Sequence, residues 1–217
     1  MEQRSIRAVF MRGGTSKAVI FHASDLPAER EKWDPIFLAA IGAPDPNGRH
    51  LDGMGGGVTS LAKVCVVGPP SRPDADVDFT FAQLSSRGAT VSYGGNCGNM
   101  SSAIGPYAID ERLVPLPGGK DATVRIHNTN TNKIIVSNFG IDGGFAAVDG
   151  DLQIDGVSGA GARSSWISLT RLVPRRANCF RPAMRKMSSA SPRSGIYTPV
   201  WSTLHSRRFS YRPKPLA

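Results

Sequence analysis

Apolar and polar residues alternate over 5–11, Ile-Arg-Ala-Val-Phe-Met-Arg, and apolar residues dominate again over 18–22, so each run reads as a strand. Gly13-Gly14-Thr15-Ser16 lies between them and supplies the turn. The period then changes. Trp33, Ile36, Phe37 and Ala40 recur at helical spacing, predicting a helix that Asp25 or its neighbour caps and that runs to about Ile41. A glycine-rich stretch, Asp52 to Gly57, leads into a predicted strand at 61–68. Val77, Phe79 and Phe81 alternate in another at 76–83, and a short strand is predicted at 89–93. A short helix follows over 98–109, and residues 121–127, 133–139 and 143–147 read as β hairpins. This is an α+β pattern of mostly antiparallel strands, not a βαβ repeat.

The pattern fades near residue 160, and the charge changes there too. The net charge of +9 looks like a nucleic-acid signal, but residues 1–160 carry 14 Lys/Arg against 17 Asp/Glu. Residues 161–217 carry 12 Lys/Arg and no carboxylate side chain. All the basicity therefore belongs to the tail. Two readings compete for it: a nucleic-acid-binding arm, or sequence translated out of frame. Back-translated with free choice of synonymous codons and read in a shifted frame, the region 163–190 can spell VELDFLDPAGAKTGKLLPTGNAKDVL. That string alternates apolar residues and restores carboxylates. We expect residues 1–160 to form the domain, with 161–217 a disordered or out-of-frame tail that binds no nucleic acid.

A chain of 217 residues has ample length for a core. Cys65, Cys97 and Cys179 are sparse and odd in number, with no metal-like spacing and no disulfide framework. The first twenty residues mix charges into a strand-like pattern, so no signal peptide is expected. No apolar run approaches the roughly 18 residues of a membrane span. These features predict a cytoplasmic chain with no membrane partner.

Candidate chemistry concentrates at Gly94-Gly95-Asn96-Cys97-Gly98-Asn99. The glycines allow a tight turn that points successive N–H groups into one concavity. A helix beginning there adds its unpaired N–H groups and the positive end of its dipole. Such a place holds a carboxylate and favours the thiolate form of a cysteine. The competing reading is a buried, inert cysteine in a structural turn. His22, His50, His127 and His205 form no cluster, and the run Asn128 to Asn132 reads as a hairpin turn. The stretch Asp52 to Gly57 reads either as the floor of a site or as a structural turn. Neither a dinucleotide fingerprint nor a P-loop spacing is present.

Three motifs occur in order: Met11-Arg12-Gly13-Gly14-Thr15-Ser16-Lys17, Asp52-Gly53-Met54-Gly55-Gly56-Gly57, and the Cys97 turn. Together they resemble the PrpF family, whose members isomerise aconitate, methylitaconate or oxalomesaconate-type acids. The resemblance covers residues 4 to about 160, and the shifted-frame LLPTGN resembles the family's next segment. It implies a diaminopimelate-epimerase-like fold, a mostly antiparallel sheet or barrel around a central helix, here the first of two pseudo-repeated domains. It also implies an isomerase that moves a double bond by proton transfer in an unsaturated tri- or dicarboxylic acid, with no metal or organic cofactor.

By the same resemblance Cys97 and Lys63 are the expected catalytic residues. Lys63 matches the lysine of a strand that usually reads Ser-Thr-Ser-Lys-Val, and Leu61-Ala62 departs from that pattern. Gly14, Thr15, Ser16, Lys17, Gly95, Asn96, Gly98 and Asn99 are the expected substrate contacts. The competing assignment for Lys63 is a solvent-exposed lysine at a strand end. A small tri- or dicarboxylate is the expected partner, with a homodimer and an aconitase-like dehydratase as further candidates. The rival reading of function is a non-catalytic, carboxylate-binding accessory of such a dehydratase. As a single domain, the chain is expected to be catalytically weak or inactive and prone to aggregate.

Overall fold

The alternating N-terminal runs form strands β1 (Arg4–Gly13) and β2 (Ser16–His22), joined by the tight Gly14-Thr15 turn with Gly14 at φ +53°. The computed structural model describes residues 4–169 and the backbone of 207–211. β3 (Lys63–Gly68) and β4 (Val77–Leu84) pair antiparallel, and β5 (Val91–Ser92) is a two-residue addition to β4. β6 (Asp121–Asn128) and β7 (Lys133–Asp142) make a long hairpin, and β8 (Phe145–Ala146) folds back on β7. Two junctions are parallel, β2 with β3 and β4 with β6, so the sheet is mixed although most neighbours are antiparallel.

The sheet continues past residue 160. β9 (Ser164–Leu169) pairs antiparallel with the inner part of β7, and β10 (Arg207–Tyr211) pairs with Arg4–Ala8 of β1. The shifted-frame reading of the tail falls largely on residues outside those described.

Only one of the two expected helices has its predicted length. α2 (Gly98–Asp110) matches its prediction to within a residue, and every position from Met100 to Ile109 is buried. The sheet curls around it, packing Met11, Ile20, Val67, Phe79, Val124 and Ile135 against Met100, Ile104 and Tyr107. Fully burying a side chain of this size contributes about 1.5–3 kcal/mol, so this helix anchors the fold. The other helix, predicted from about Asp25, is α1 (Trp33–Ile41) alone. Separate single turns of 3-10 helix stand at Ala23–Asp25 and Arg30–Lys32. Pro27 explains the break: the residue before proline avoids helical angles, and Leu26 is extended at φ −102°, ψ 158°. His22, not Asp25, caps the first turn, its Nδ1 accepting from the Ser24 N–H. α1 covers the opposite face of β1–β4, where Phe21 and Phe37 stack in a second core with Val19, Ile41, Val64 and Leu84.

Pro106 sits inside α2 and has no N–H for the carbonyl of Ser102, four residues earlier. Ser164 of β9 donates its hydroxyl to that carbonyl at 3.5 Å. β9 thus completes the helix that proline leaves short of one bond.

Candidate active site

Cys97 is the residue on which α2 begins. It is extended at φ −113°, ψ 110°, and its carbonyl accepts the first intrahelical bond, from the Ser101 N–H at 2.9 Å. The N–H groups of Gly98, Asn99 and Met100 precede that bond and point out of the helix end. Its side chain is partly buried against the core around α2. The turn ahead of it is open. A Cβ on Gly95 would meet nothing within 4 Å, and one on Gly94 only the Ser92 hydroxyl at 3.8 Å.

Side chains from three elements hold this helix end. Asn96 exchanges hydrogen bonds with Ser101 and accepts from Asn128, a fully buried side chain at the end of β6. Asn128 also accepts from the backbone and hydroxyl of Thr131. Asn130 bonds both backbone groups of Phe81 and the Tyr93 carbonyl, acting as a one-residue extra strand. The asparagine run is thus the hairpin turn it was read to be, with Asn132 at φ +54°, and it also ties down the approach to Cys97. On the other side Asn99 donates to the hydroxyls of Thr15 at 3.0 Å and Ser16 at 3.3 Å. Gly13 and Gly14 permit that contact, because a Cβ on Gly13 would lie 2.2 Å from the Asn99 carbonyl oxygen. Trp166 of β9 covers Gly98, its ring 3.1 Å from where a Cβ would stand.

The structure therefore brings Gly14, Thr15, Ser16, Asn96, Gly98 and Asn99 together at the start of α2. Lys17 stands apart from them. Strand alternation puts it with Phe10 on the α1 side of the hairpin, its ammonium 5.3 Å from that ring. The stretch Asp52 to Gly57 also lies elsewhere: Met54 and Gly55 donate N–H groups to the Ala40 and Ile41 carbonyls at the end of α1. It is a structural turn.

Lys63 begins β3 and is buried, only 7% exposed, so the solvent-exposed assignment does not hold. The strand starts there and not at residue 61, because Thr59–Leu61 forms a 3-10 turn. Its ammonium donates to Gln83 Oε1 at 2.5 Å and lies 5.3 Å from the centre of the Phe81 ring. Among the described residues it has no carboxylate partner. A buried cation left without a counter-charge is unfavourable unless something anionic meets it.

Cys65 connects the two expected catalytic residues. It is two positions along β3 from Lys63, on the same face, and fully buried in the core against which Cys97 packs. Burial pushes the Cys65 thiol well up, Cys97 pushes it further, and Lys63 works against both. Cys97 and Lys63 thus act on the buried thiol in opposite directions. A cavity of about 370 Å³ opens at the far end of α2, lined by Pro70, Asp76, Ile109, Val114 and Thr123. Asp76 is held there by Arg125 at 2.7 Å, and no basic side chain stands among the described residues that line the cavity.

Proteins similar in sequence to this chain are named as isomerases and a tautomerase. The chain is 45% identical over 161 residues to the 3-methylitaconate isomerase of Eubacterium barkeri, covering 74% of this chain and 42% of that protein. It is 39% identical to the 2-methyl-aconitate isomerase of Cupriavidus necator, covering 72% and 41%. It is 41% identical to the 4-oxalomesaconate tautomerase of Pseudomonas putida, covering 75% and 44%. The crystal structure of methylitaconate-delta-isomerase superposes with a TM-score of 0.73 at 43% identity, over 76% of this chain and 42% of that one. The chain thus spans less than half the length of these relatives. Residues 3–170 match the family described as PrpF protein, from the first strand to the end of β9, and the chain belongs to that family.

Proposed function

We propose that this chain carries the thiol- and ammonium-bearing wall of an isomerase site that shifts a double bond in an unsaturated di- or tricarboxylic acid. The observation that carries the reading is Lys63: a buried ammonium that has no carboxylate partner among the described residues and shares a strand face with Cys65, in the core against which Cys97 packs. A substrate carboxylate would supply the missing counter-charge, and a second could rest on the N–H groups that open α2. The names of the relatives support unsaturated carboxylic acids as the class.

The chemistry follows from the parts. Cys97, as thiolate, takes a proton from the carbon next to the double bond. The C–H electron pair becomes a new C=C bond, and the old one opens onto a carboxylate-stabilised carbon. The Cys97 thiol then delivers a proton to the far end of the allyl unit, which restores the thiolate and completes the shift with no net oxidation or reduction. The Lys63 ammonium and the helix N–H groups face the developing negative charge, an arrangement that contributes roughly 3–4 kcal/mol per donor in other enzymes.

In D2O the chain is expected to exchange a 3-methylitaconate proton for deuterium at the low rate of a single domain, followed by proton NMR, and Cys97→Ser is expected to abolish the exchange. Measurable exchange that is equal in the wild-type chain and Cys97→Ser would remove the thiol from the mechanism. Carboxylate binding without any Cys97-dependent exchange would instead indicate a non-catalytic accessory of an aconitase-like dehydratase.

A further inference from the structure

No motif in the sequence points to Gln83, yet its side chain is the hydrogen-bonding partner of the Lys63 ammonium. The β3–β4 register sets Lys63 directly opposite Gln83. The Gln83 Nε2 group donates to three backbone carbonyls, Ala62 at 2.8 Å, Thr59 at 3.1 Å and Leu84 at 3.1 Å. Two of these belong to the turn immediately before Lys63. An amide flipped by 180° would turn Oε1 toward those carbonyls and the NH2 group toward an ammonium, opposing acceptor to acceptor and donor to donor. The carbonyls therefore fix the amide in one orientation, with Oε1 aimed at Nζ. Phe81, two residues before Gln83 on the same face of β4, presents its ring to the same ammonium.

We propose that Gln83 is a positioning residue for Lys63: it holds the ammonium in one place while leaving its charge uncompensated for a substrate carboxylate. A glutamate there would hold the lysine as well but would neutralise it. A neutral acceptor, oriented by backbone, does the first without the second. This inference rests on the isomerase reading for its consequence, and on geometry alone for the placement of Lys63.

The test uses the full chain labelled with 15N at lysine, comparing wild type, Gln83→Met and Gln83→Glu, with Lys63→Met to assign the Nζ resonance. A held, buried ammonium exchanges its protons slowly enough to give a resolved cross-peak. We expect that peak in wild type and Gln83→Glu and its loss in Gln83→Met. In turnover, Gln83→Met is expected to lower kcat/KM by about 10- to 100-fold, the scale of one hydrogen bond to a charged group. Gln83→Glu is expected to act mainly by raising KM, since its carboxylate competes with the substrate's for the same ammonium. A persistent Nζ peak in folded Gln83→Met overturns the proposal. So does an unchanged KM in Gln83→Glu, which decides the matter if the methionine variant does not fold. Where no variant turns over, wild type included, as a single domain is expected to behave, the Nζ peak decides the role of Gln83 by itself.

Discussion

Two glycine-rich turns, 52–57 and 94–98, look alike in sequence and have opposite jobs. In the first, neighbouring atoms fill the space: a Cβ on Gly53 would lie 2.2 Å from the Gly42 nitrogen, one on Gly57 2.1 Å from the Gly48 oxygen, and those on Gly55 and Gly56 would meet the His50 and Leu61 side chains. The N–H groups of Met54 and Gly55 meet carbonyls that the end of α1 leaves unpaired. In the second, Gly94 and Gly95 have room beside them, and the N–H groups that open α2 face outward. A helix C-terminus consumes the donors of the turn packed on it, whereas a helix N-terminus adds donors to the turn that precedes it. Glycine content alone therefore says nothing about a binding site; the end of the helix that the turn meets decides it.

The largest test of this contrast is Gly57→Ala. The residue sits at φ +75° with no room for a side chain, so strain and overpacking together should remove about 3 kcal/mol of stability. Urea unfolding would show it, and a change below 1 kcal/mol would mean that the first turn is as loose as the second. Next comes Tyr93→Phe. The Tyr93 hydroxyl donates to Asp34 Oδ1 at 2.6 Å and is the tether from the open turn back to α1. Burial and the Asp34 carboxylate together raise its pKa, so the hydroxyl stays a donor at neutral pH. Losing that bond should lower stability by about 1–2 kcal/mol.

A smaller effect involves pH. Asp45 accepts from the backbone of Asn47, Arg49 and His50 ahead of the packed turn, and these bonds hold its pKa below the ordinary value. Its folded value being lowered, the stabilisation is present above the unfolded value of about 3.9 and is lost as the pH falls below it. Asp45→Asn should flatten the acid limb of the stability curve; an unchanged limb would detach Asp45 from the packed turn. Smallest of all, Gly95→Ala should change stability by less than about 0.5 kcal/mol, because nothing stands where its Cβ would go. A large loss in thermal unfolding would show that the second turn is packed after all.

The strands were legible because alternation survives wherever one face is buried, and α2 because glycine punctuation precedes a run of small and apolar residues. Cys97 and Lys63 were legible through motifs. Gln83 was not, since its role depends on the register that sets β4 against β3, and register cannot be read from either strand alone. Asn128 and Asn130 were legible as turn formers, but their reach to Asn96, Phe81 and Tyr93 crosses the sheet. Trp166 and Ser164 lay in a stretch whose pattern was already fading, although the backbone there still pairs with β7. The helix predicted from Asp25 failed at Leu26, the residue before Pro27, and again at Glu29, both of which are extended.

The indole of Trp166 lies against Gly98, the residue after the proposed proton acceptor. That contact gives the protein a built-in optical gauge. With Trp33 and Trp201 replaced by phenylalanine, the remaining emission would come from a ring touching the first turn of α2. Alkylating Cys97, or seating a carboxylate on the helix end, should change its intensity within the mixing time of the sample. Occupancy of the site could then be followed by fluorescence in real time, with no chromogenic substrate and no coupled enzyme.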